Sequence, residues 1–188
     1  MHFFTRGQKV ISVPRKVLYE KPELEKFLEE VDVIIHLAGT PITKRWTMHN
    51  HKKMFNSRVI TTQNIAHVID NMQNPPNLFI STSAIGIYNN IHYHDESSND
   101  FSDNFLGTLC KAWEAPVKSI KTDKTRTIIT RLGIVLGDGG MLSRLSWSFK
   151  MGLGAKIGHG EYPMPLIHID DLLAFYETAI NDAGYQGI

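Results

Sequence analysis

Short apolar runs alternate with amphipathic stretches along this chain. Four apolar runs each end at small, polar or turn-forming residues, and the first and last of them are rich in β-branched residues. Near-continuous apolar runs of this length predict strands that are buried on both faces, as in a parallel sheet. The four runs are Lys9–Val13, Val31–Leu37, Leu78–Ile80 and Arg126–Leu132.

The stretches between these runs have the period of an amphipathic helix. We predict helices at residues 22–30, 55–72, 105–120 and 170–183. The clearest, 55–72, carries one apolar stripe, and the stripe consists of Phe55, Val59, Thr62, Ala66 and Ile69. Pro116 predicts a kink or a break in the third helix. Strands that alternate with helices indicate right-handed βαβ units and a doubly wound parallel sheet of the α/β class.

The composition limits the binding partners and the cellular compartment that we expect for this protein. A length of 188 residues is typical of one domain with a small appendage. The net charge of +1 gives no electrostatic attraction to nucleic acid or to an anionic membrane. We find no apolar run of membrane-spanning length and no secretory signal pattern. The single cysteine, Cys110, excludes an internal disulfide and predicts a cytoplasmic protein.

Eight short segments, taken in order, resemble one protein family. They are VISVPR (10–15), VIIHLAG (33–39), KRWT (44–47), NSRVITTQ (56–63), ISTSAIGIY (80–88), FLGTLCKAWE (105–114), TRLGIVLGDGG (130–140) and LIHIDDL (166–172). Together they are similar to the epimerase branch of the atypical short-chain dehydrogenase/reductases, which includes NAD-dependent epimerase/dehydratase-like proteins and sugar-nucleotide epimerases. The resemblance covers essentially the whole chain.

This resemblance implies a Rossmann-like NAD(P)-binding domain over residues 1–137 and a smaller substrate-side lobe over 138–188. Met1–Gly7 is typical of the end of a helix. We therefore expect the first strand and the glycine-rich loop of such a domain to be missing, and Gly184–Ile188 to begin a further strand. The missing loop leads into the helix N-terminus that binds the cofactor's pyrophosphate. We expect weakened cofactor affinity and unpaired sheet edges as a result.

Residues at the strand ends are the candidate cofactor site, because ligands of open α/β sheets bind at the carboxyl ends of the strands. Arg15 follows the run Lys9–Val13, where a carboxylate would bind the adenosine ribose of NAD. A cation there favours the 2′-phosphate of NADP, so we predict NADP with NAD as the weaker ligand; the alternative is a solvated loop arginine. Leu37, Ala38 and Gly39 are expected to lie against the cofactor.

A second group of strand-end residues is assigned through the resemblance. Ser83 is the expected catalytic residue beside the nicotinamide, with Thr82 as the next match and as a cofactor-binding residue. The carboxamide group of the nicotinamide is expected to be held by Leu132, Gly133 and Ile134. Small polar residues also end many strands that bind nothing, so a structural role for the serine and threonine stays open.

The family's usual acid/base pair, a tyrosine with a lysine four residues later, is not found at its expected place. With Trp113–Glu114 as the anchor, these positions fall near Leu106 and Cys110. Proton transfer would then need another residue, and the candidates are Ser83, Tyr88 and His168.

Three further interpretations concern charged residues and metals. We interpret Arg131 as an ion-pair partner and either Asp170 or Asp171 as a helix cap. The histidine pairs at 49/51 and 92/94 lack the spacing of a zinc site, so we predict no metal.

Two functions remain open at this point. The first is an NADP-linked oxidoreductase or epimerase-like enzyme that acts on a small molecule. The alternative is a non-catalytic NAD(P)-binding sensor or partner-binding module. A third interpretation is that the chain is a fragment that binds nothing well.

Overall fold

The computed structural model describes residues 7–139, 146–154 and 164–188. The helix end expected before Gly7 lies outside these residues. The chain separates into two compact units: the first runs to Arg131 and includes Ala183–Ile188, and the second is Leu132–Asp182. The boundary between the two parts of the chain was predicted to lie after residue 137. The last residues return to the first unit because Gly187 pairs with Ile128 and accepts a hydrogen bond from the amide of Ile129.

The first unit consists of helices around a three-stranded sheet. Its elements in chain order are α1 (Lys21–Leu28), β1 (Val33–His36), α2 (Met48–Phe55), a π-helical turn (Asn56–Ile60), α3 (Thr61–Asn71), β2 (Leu78–Ala84), α4 (Phe105–Lys118) and β3 (Arg126–Leu132). Three strands and three helical regions therefore form where the hydrophobic pattern predicted them. Helix α4 continues through Pro116, so it does not break there, and a kink at Pro116 stays a prediction.

The strands lie in the order β1-β2-β3. Strands β1 and β2 are parallel, with Val33 opposite Leu78 and His36 opposite Ser81. Their carboxyl ends therefore meet at one edge of the sheet. This register places Leu37–Gly39 beside Thr82 and Ser83.

The prediction of a strand over Lys9–Val13 is wrong. This segment has no regular secondary structure and forms no ladder with any described strand. Val10 and Ile11 are 51% and 40% exposed. An isolated segment has no partner for its backbone N–H and C=O groups, so β-branched composition alone does not make it a strand.

The helix predicted at 55–72 begins earlier, at Met48, because Thr47 caps it by accepting a hydrogen bond from the amide of Asn50. The apolar face of α3 is buried as predicted. It packs into the main core of the first unit, whose buried members are Val17, Leu18, Leu24, Leu28, Ile65, Val68, Ile69, Phe79, Val117 and Ile129.

The second unit contains a pair of short parallel strands, β4 (Ile134–Leu136) and β5 (Leu166–His168), followed by α5 (Ile169–Asn181). The cap of α5 differs from the prediction: His168, and neither Asp170 nor Asp171, accepts the hydrogen bond from the amide of Asp170. The two aspartates instead lie in the first turn, where the helix dipole favours negative charge. None of the described helices is long and apolar enough to cross a membrane.

Candidate functional site

The carboxyl end of β1 is held in place by polar groups buried beneath it. The Thr82 hydroxyl donates to the carbonyl of His36 over 2.8 Å, so β2 fixes the last residue of β1. The His36 ring lies 3.2 Å from the Thr61 hydroxyl. Burial, with the positive charge of Arg58, lowers the pKa of His36 to about 4. The imidazole is therefore neutral at neutral pH and acts as a fixed hydrogen-bonding group.

Arg15 reaches the exposed side of this strand end. Its Nη2 lies 3.5 Å from the carbonyl oxygen of Gly39, although 24 residues separate the two in the sequence. Leu37 is exposed and Ala38 packs against the core. The structure therefore brings together Arg15 and the predicted segment Leu37–Gly39, and it leaves the guanidinium exposed to solvent.

Ser83 lies at the end of β2 and is buried. Its hydroxyl donates a hydrogen bond of 2.7 Å to Oε1 of Glu114 in α4. Because the proton of Ser83 is directed to this carboxylate, the lone pairs of the serine oxygen are what it can offer to a ligand. Ser83 is thus suited to accept a hydrogen bond from a substrate hydroxyl.

Glu114 is the centre of a buried polar network. Arg131 donates to both of its oxygens, through Nε and Nη2 over 2.8 Å each, and Lys118 donates to Oε2 over 2.9 Å. Burial by itself would raise the pKa of Glu114, but the hydrogen bonds from Arg131, Lys118 and Ser83 outweigh it and hold the pKa below its usual range. The carboxylate therefore stays charged, and the prediction that Arg131 is an ion-pair partner is confirmed.

Tyr88 extends this network, because its phenol oxygen accepts a hydrogen bond of 2.7 Å from Nη1 of Arg131. The hydrogen bonds to Glu114 raise the pKa of Arg131, so the guanidinium is always charged. Of the three candidates for proton transfer, Ser83 and Tyr88 share one network, whereas His168 lies in the second unit and is exposed.

The expected tyrosine and lysine positions lie in α4. Cys110 is buried, and Leu106 has no group that can exchange a proton. Burial and then the nearby Glu114 raise the pKa of the Cys110 thiol to about 11, against smaller opposing effects of the Ser83 side chain and the Arg58 charge. Cys110 is therefore a neutral thiol at neutral pH and cannot supply the charge of a lysine.

Leu132, Gly133 and Ile134 belong to the second unit and are half-buried. A Cβ at Gly133 would lie 2.5 Å from the carbonyl oxygen of Pro165. The glycine is thus required by the chain's own packing next to the β4–β5 pair. Its predicted contact with a cofactor stays a prediction.

Some members of the site carried no sequence signal. From the sequence, Glu114 served only to locate the expected tyrosine and lysine positions, and no role was predicted for Lys118, His36 or Arg58. The spacing of four residues between Glu114 and Lys118 on one helix was the one available clue. The other contacts join residues far apart in the chain. Among the described residues, no group of three histidine, cysteine, aspartate or glutamate side chains is arranged to hold a metal ion.

Comparison with known proteins identifies the family of the chain. The model of the NAD dependent epimerase/dehydratase family matches residues 8–187. The chain is 31% identical to the epimerase family protein SSP1921 of Staphylococcus saprophyticus over 98% of its own length and 63% of that protein. It is 32% identical to the epimerase family protein SDR39U1 of Bos taurus, over 97% of the chain and 65% of the relative.

A solved structure gives the same result for the fold. The crystal structure of human epimerase family protein SDR39U1 (isoform 2) with NADPH matches at a TM-score of 0.81 and 30% identity. The match covers 89% of this chain and 59% of that one. The chain thus spans somewhat less than two thirds of the length of these relatives. The expected Rossmann-like α/β fold and the resemblance to atypical short-chain dehydrogenase/reductases are confirmed, and the chain belongs to the NAD-dependent epimerase/dehydratase family.

Proposed function

We propose that this chain is the NADP-binding part of an oxidoreductase or epimerase-like enzyme that acts on a small molecule. The observation that carries the proposal is Arg15, whose exposed guanidinium lies at the carbonyl of Gly39 where β1 ends. The adenosine ribose of a dinucleotide binds at such a strand end, and a cation there selects a 2′-phosphate. The NADPH in the solved SDR39U1 structure supports the same choice of cofactor.

The chain's own residues also fit the reacting half of such a cofactor. A bound nicotinamide would supply or accept a hydride. Ser83 would accept a hydrogen bond from the substrate hydroxyl, since its own proton is directed to Glu114. Arg131 fills one lone pair of the Tyr88 oxygen, and the phenol proton has no acceptor within residues 7–139, 146–154 and 164–188, so Tyr88 could donate it to a substrate.

Calorimetric titration with NADPH and with NADH tests the cofactor assignment. We expect the unaltered chain to prefer NADPH, and Arg15→Ala to lower NADPH affinity about tenfold, the usual effect of losing one charge-assisted hydrogen bond. Binding of NADH should change little. Lys26→Ala, which removes an exposed cation from α1, is the matched control and should leave both affinities within about twofold.

Two results would contradict the assignment. A preference for NADH in the unaltered chain would show that Arg15 does not select the 2′-phosphate. Failure of both nucleotides to bind at any concentration would show that the strand ends are not a cofactor site.

A non-catalytic NAD(P)-binding module is the second candidate, and the neutral Cys110 and the apolar Leu106 favour it. The two functions differ in turnover. We would follow NADPH oxidation with a panel of small carbonyl compounds and compare Ser83→Ala with Ser119→Ala, a control outside the network. Turnover that falls in Ser83→Ala alone supports the enzyme. Tight NADPH binding without turnover across the panel supports the binding module.

A further inference from the structure

Arg58 lies in the π-helical turn between α2 and α3 and points to the end of β1. Its Nη1 donates to the carbonyl of Thr40 over 2.9 Å and lies 3.4 Å from that of Met54. The guanidinium carbon is 5.2 Å from the ring centroid of Trp113. These contacts hold the planar group in one orientation. A π-helical turn inside a long helix is frequently found at functional sites.

Gly39 packs closely against this guanidinium. A Cβ built at Gly39 would lie 2.8 Å from the guanidinium carbon and from Nη2 of Arg58. A glycine is therefore needed for the arginine to approach the backbone at the strand end. The predicted cofactor segment and the cation are in direct contact.

Three of the five N–H donors of Arg58 have no partner in the described part of the chain. Within residues 7–139, 146–154 and 164–188, Nε and Nη2 have no hydrogen-bond partner and no carboxylate forms an ion pair with the side chain. Burial lowers the pKa of Arg58, although an arginine remains charged at neutral pH. The neighbouring His36 and Cys110 are neutral. A half-buried cation without a counter-group is costly, and a ligand oxygen would relieve that cost.

The position of Arg58 indicates which part of a ligand it faces. Its guanidinium carbon lies 5.2 Å from the ring centroid of Trp113 in α4, and the next residue of α4, Glu114, accepts the hydrogen bond of Ser83. Ser83 is the residue expected beside the nicotinamide, and Cys110 occupies the expected lysine position. Arg58 therefore lies on the nicotinamide side of Gly39, and Arg15 lies against the exposed carbonyl of the same residue.

We propose that Arg58 replaces the missing lysine from a neighbouring helix, with Nε and Nη2 donating to the hydroxyls of the ribose that carries the nicotinamide. This inference rests on the proposed function, because it requires a nicotinamide cofactor at these strand ends. The two arginines then divide the cofactor: Arg15 binds the adenosine half and Arg58 binds the nicotinamide half.

Binding of cofactor fragments separates the two halves and needs no substrate. The probes are NADPH, 2′,5′-ADP for the adenosine half, and reduced nicotinamide mononucleotide for the nicotinamide half. We expect Arg58→Gln to weaken NADPH and the mononucleotide by about tenfold and to leave 2′,5′-ADP within about twofold. Arg15→Ala should weaken NADPH and 2′,5′-ADP and leave the mononucleotide within about twofold. Lys53→Gln, an exposed cation on α2 given the same replacement, should change none of the three.

A second variant covers the case in which Arg58→Gln does not fold, which far-ultraviolet circular dichroism would reveal. Gly39→Ala keeps Arg58 and its charge but places a Cβ where the guanidinium lies. It should weaken the mononucleotide more than 2′,5′-ADP.

The outcomes distinguish this inference from the proposed function. If the unaltered chain binds neither NADPH nor 2′,5′-ADP, the proposed function fails and the inference fails with it. If the unaltered chain binds NADPH but Arg58→Gln leaves it unchanged, only the inference is overturned. Equal weakening of 2′,5′-ADP and the mononucleotide would also overturn it, since Arg58 would then have no specific role in the nicotinamide half.

Discussion

Replacement of Glu114 by glutamine tests the buried network that positions Ser83. The side chain of Glu114 is 1% exposed and that of Arg131 is 6% exposed. Glutamine keeps the shape but removes the charge, so Arg131 becomes a buried cation without a counter-charge. Breaking a buried ion pair from one side costs roughly 3–5 kcal/mol. We expect a loss of this size in the free energy of unfolding, measured by urea denaturation at neutral pH.

A double-mutant cycle shows whether the loss belongs to the pair. Glu114→Gln combined with Arg131→Met should cost less than the sum of the two single changes, because the second change removes the stranded charge. Glu25→Gln, an exposed carboxylate on α1, is the control and should stay within about 0.5 kcal/mol of the unaltered chain. A loss below about 1 kcal/mol for Glu114→Gln, or strict additivity in the cycle, would refute the buried network.

Three further outcomes follow from individual contacts. The pKa of His36 is lowered from 6.5 to about 4. The neutral ring therefore contributes fully to the stability of the folded chain above pH 6.5, and this contribution is lost as the pH falls towards 4. Between pH 6.5 and 4, the free energy of unfolding of the unaltered chain, measured with urea, should fall by about 3 kcal/mol more than that of His36→Gln. Parallel pH profiles of the two chains would contradict the lowered pKa. Cys110, with a thiol pKa of about 11, should react with a disulfide reagent at pH 8 only after unfolding; rapid labelling of the folded chain would show that it is accessible. Gly133→Ala should lower the thermal stability of the second unit, since the Cβ would meet the Pro165 carbonyl at 2.5 Å, and an unchanged melting temperature would contradict the packing.

The hydrophobic pattern predicted the parts of the fold in which local sequence and burial agree. Strands β1 and β3 and helix α4 were recognised because each is a buried run or an apolar stripe of sufficient length. Lys9–Val13 failed because its β-branched composition is the same whether or not a neighbouring strand supplies hydrogen bonds. The pattern also missed the first two turns of α2, since a polar first turn held by the Thr47 cap has no apolar period.

Only part of the candidate site could be predicted, because some of its residues are marked by local sequence and others are not. The ends of β1 and β2 can be read from the sequence, so Gly39 and Ser83 were predicted as site residues. Arg15 was predicted as the residue after a strand that does not form, and its place at Gly39 is seen only in the structure. Glu114 and Arg58 could not be predicted, because their roles depend on contacts across 31 residues to Ser83 and 18 residues to Thr40. A charged residue in a helix is usually solvated, and only tertiary packing shows which ones are buried.

The most direct measurement is a crystal structure of this chain with NADPH. We expect the 2′-phosphate within hydrogen-bond distance of Arg15, and the ribose of the nicotinamide within hydrogen-bond distance of Nε or Nη2 of Arg58. The nicotinamide should lie on the Ser83 side of the strand ends. A cofactor bound away from the carboxyl ends of β1 and β2 would contradict the proposed site.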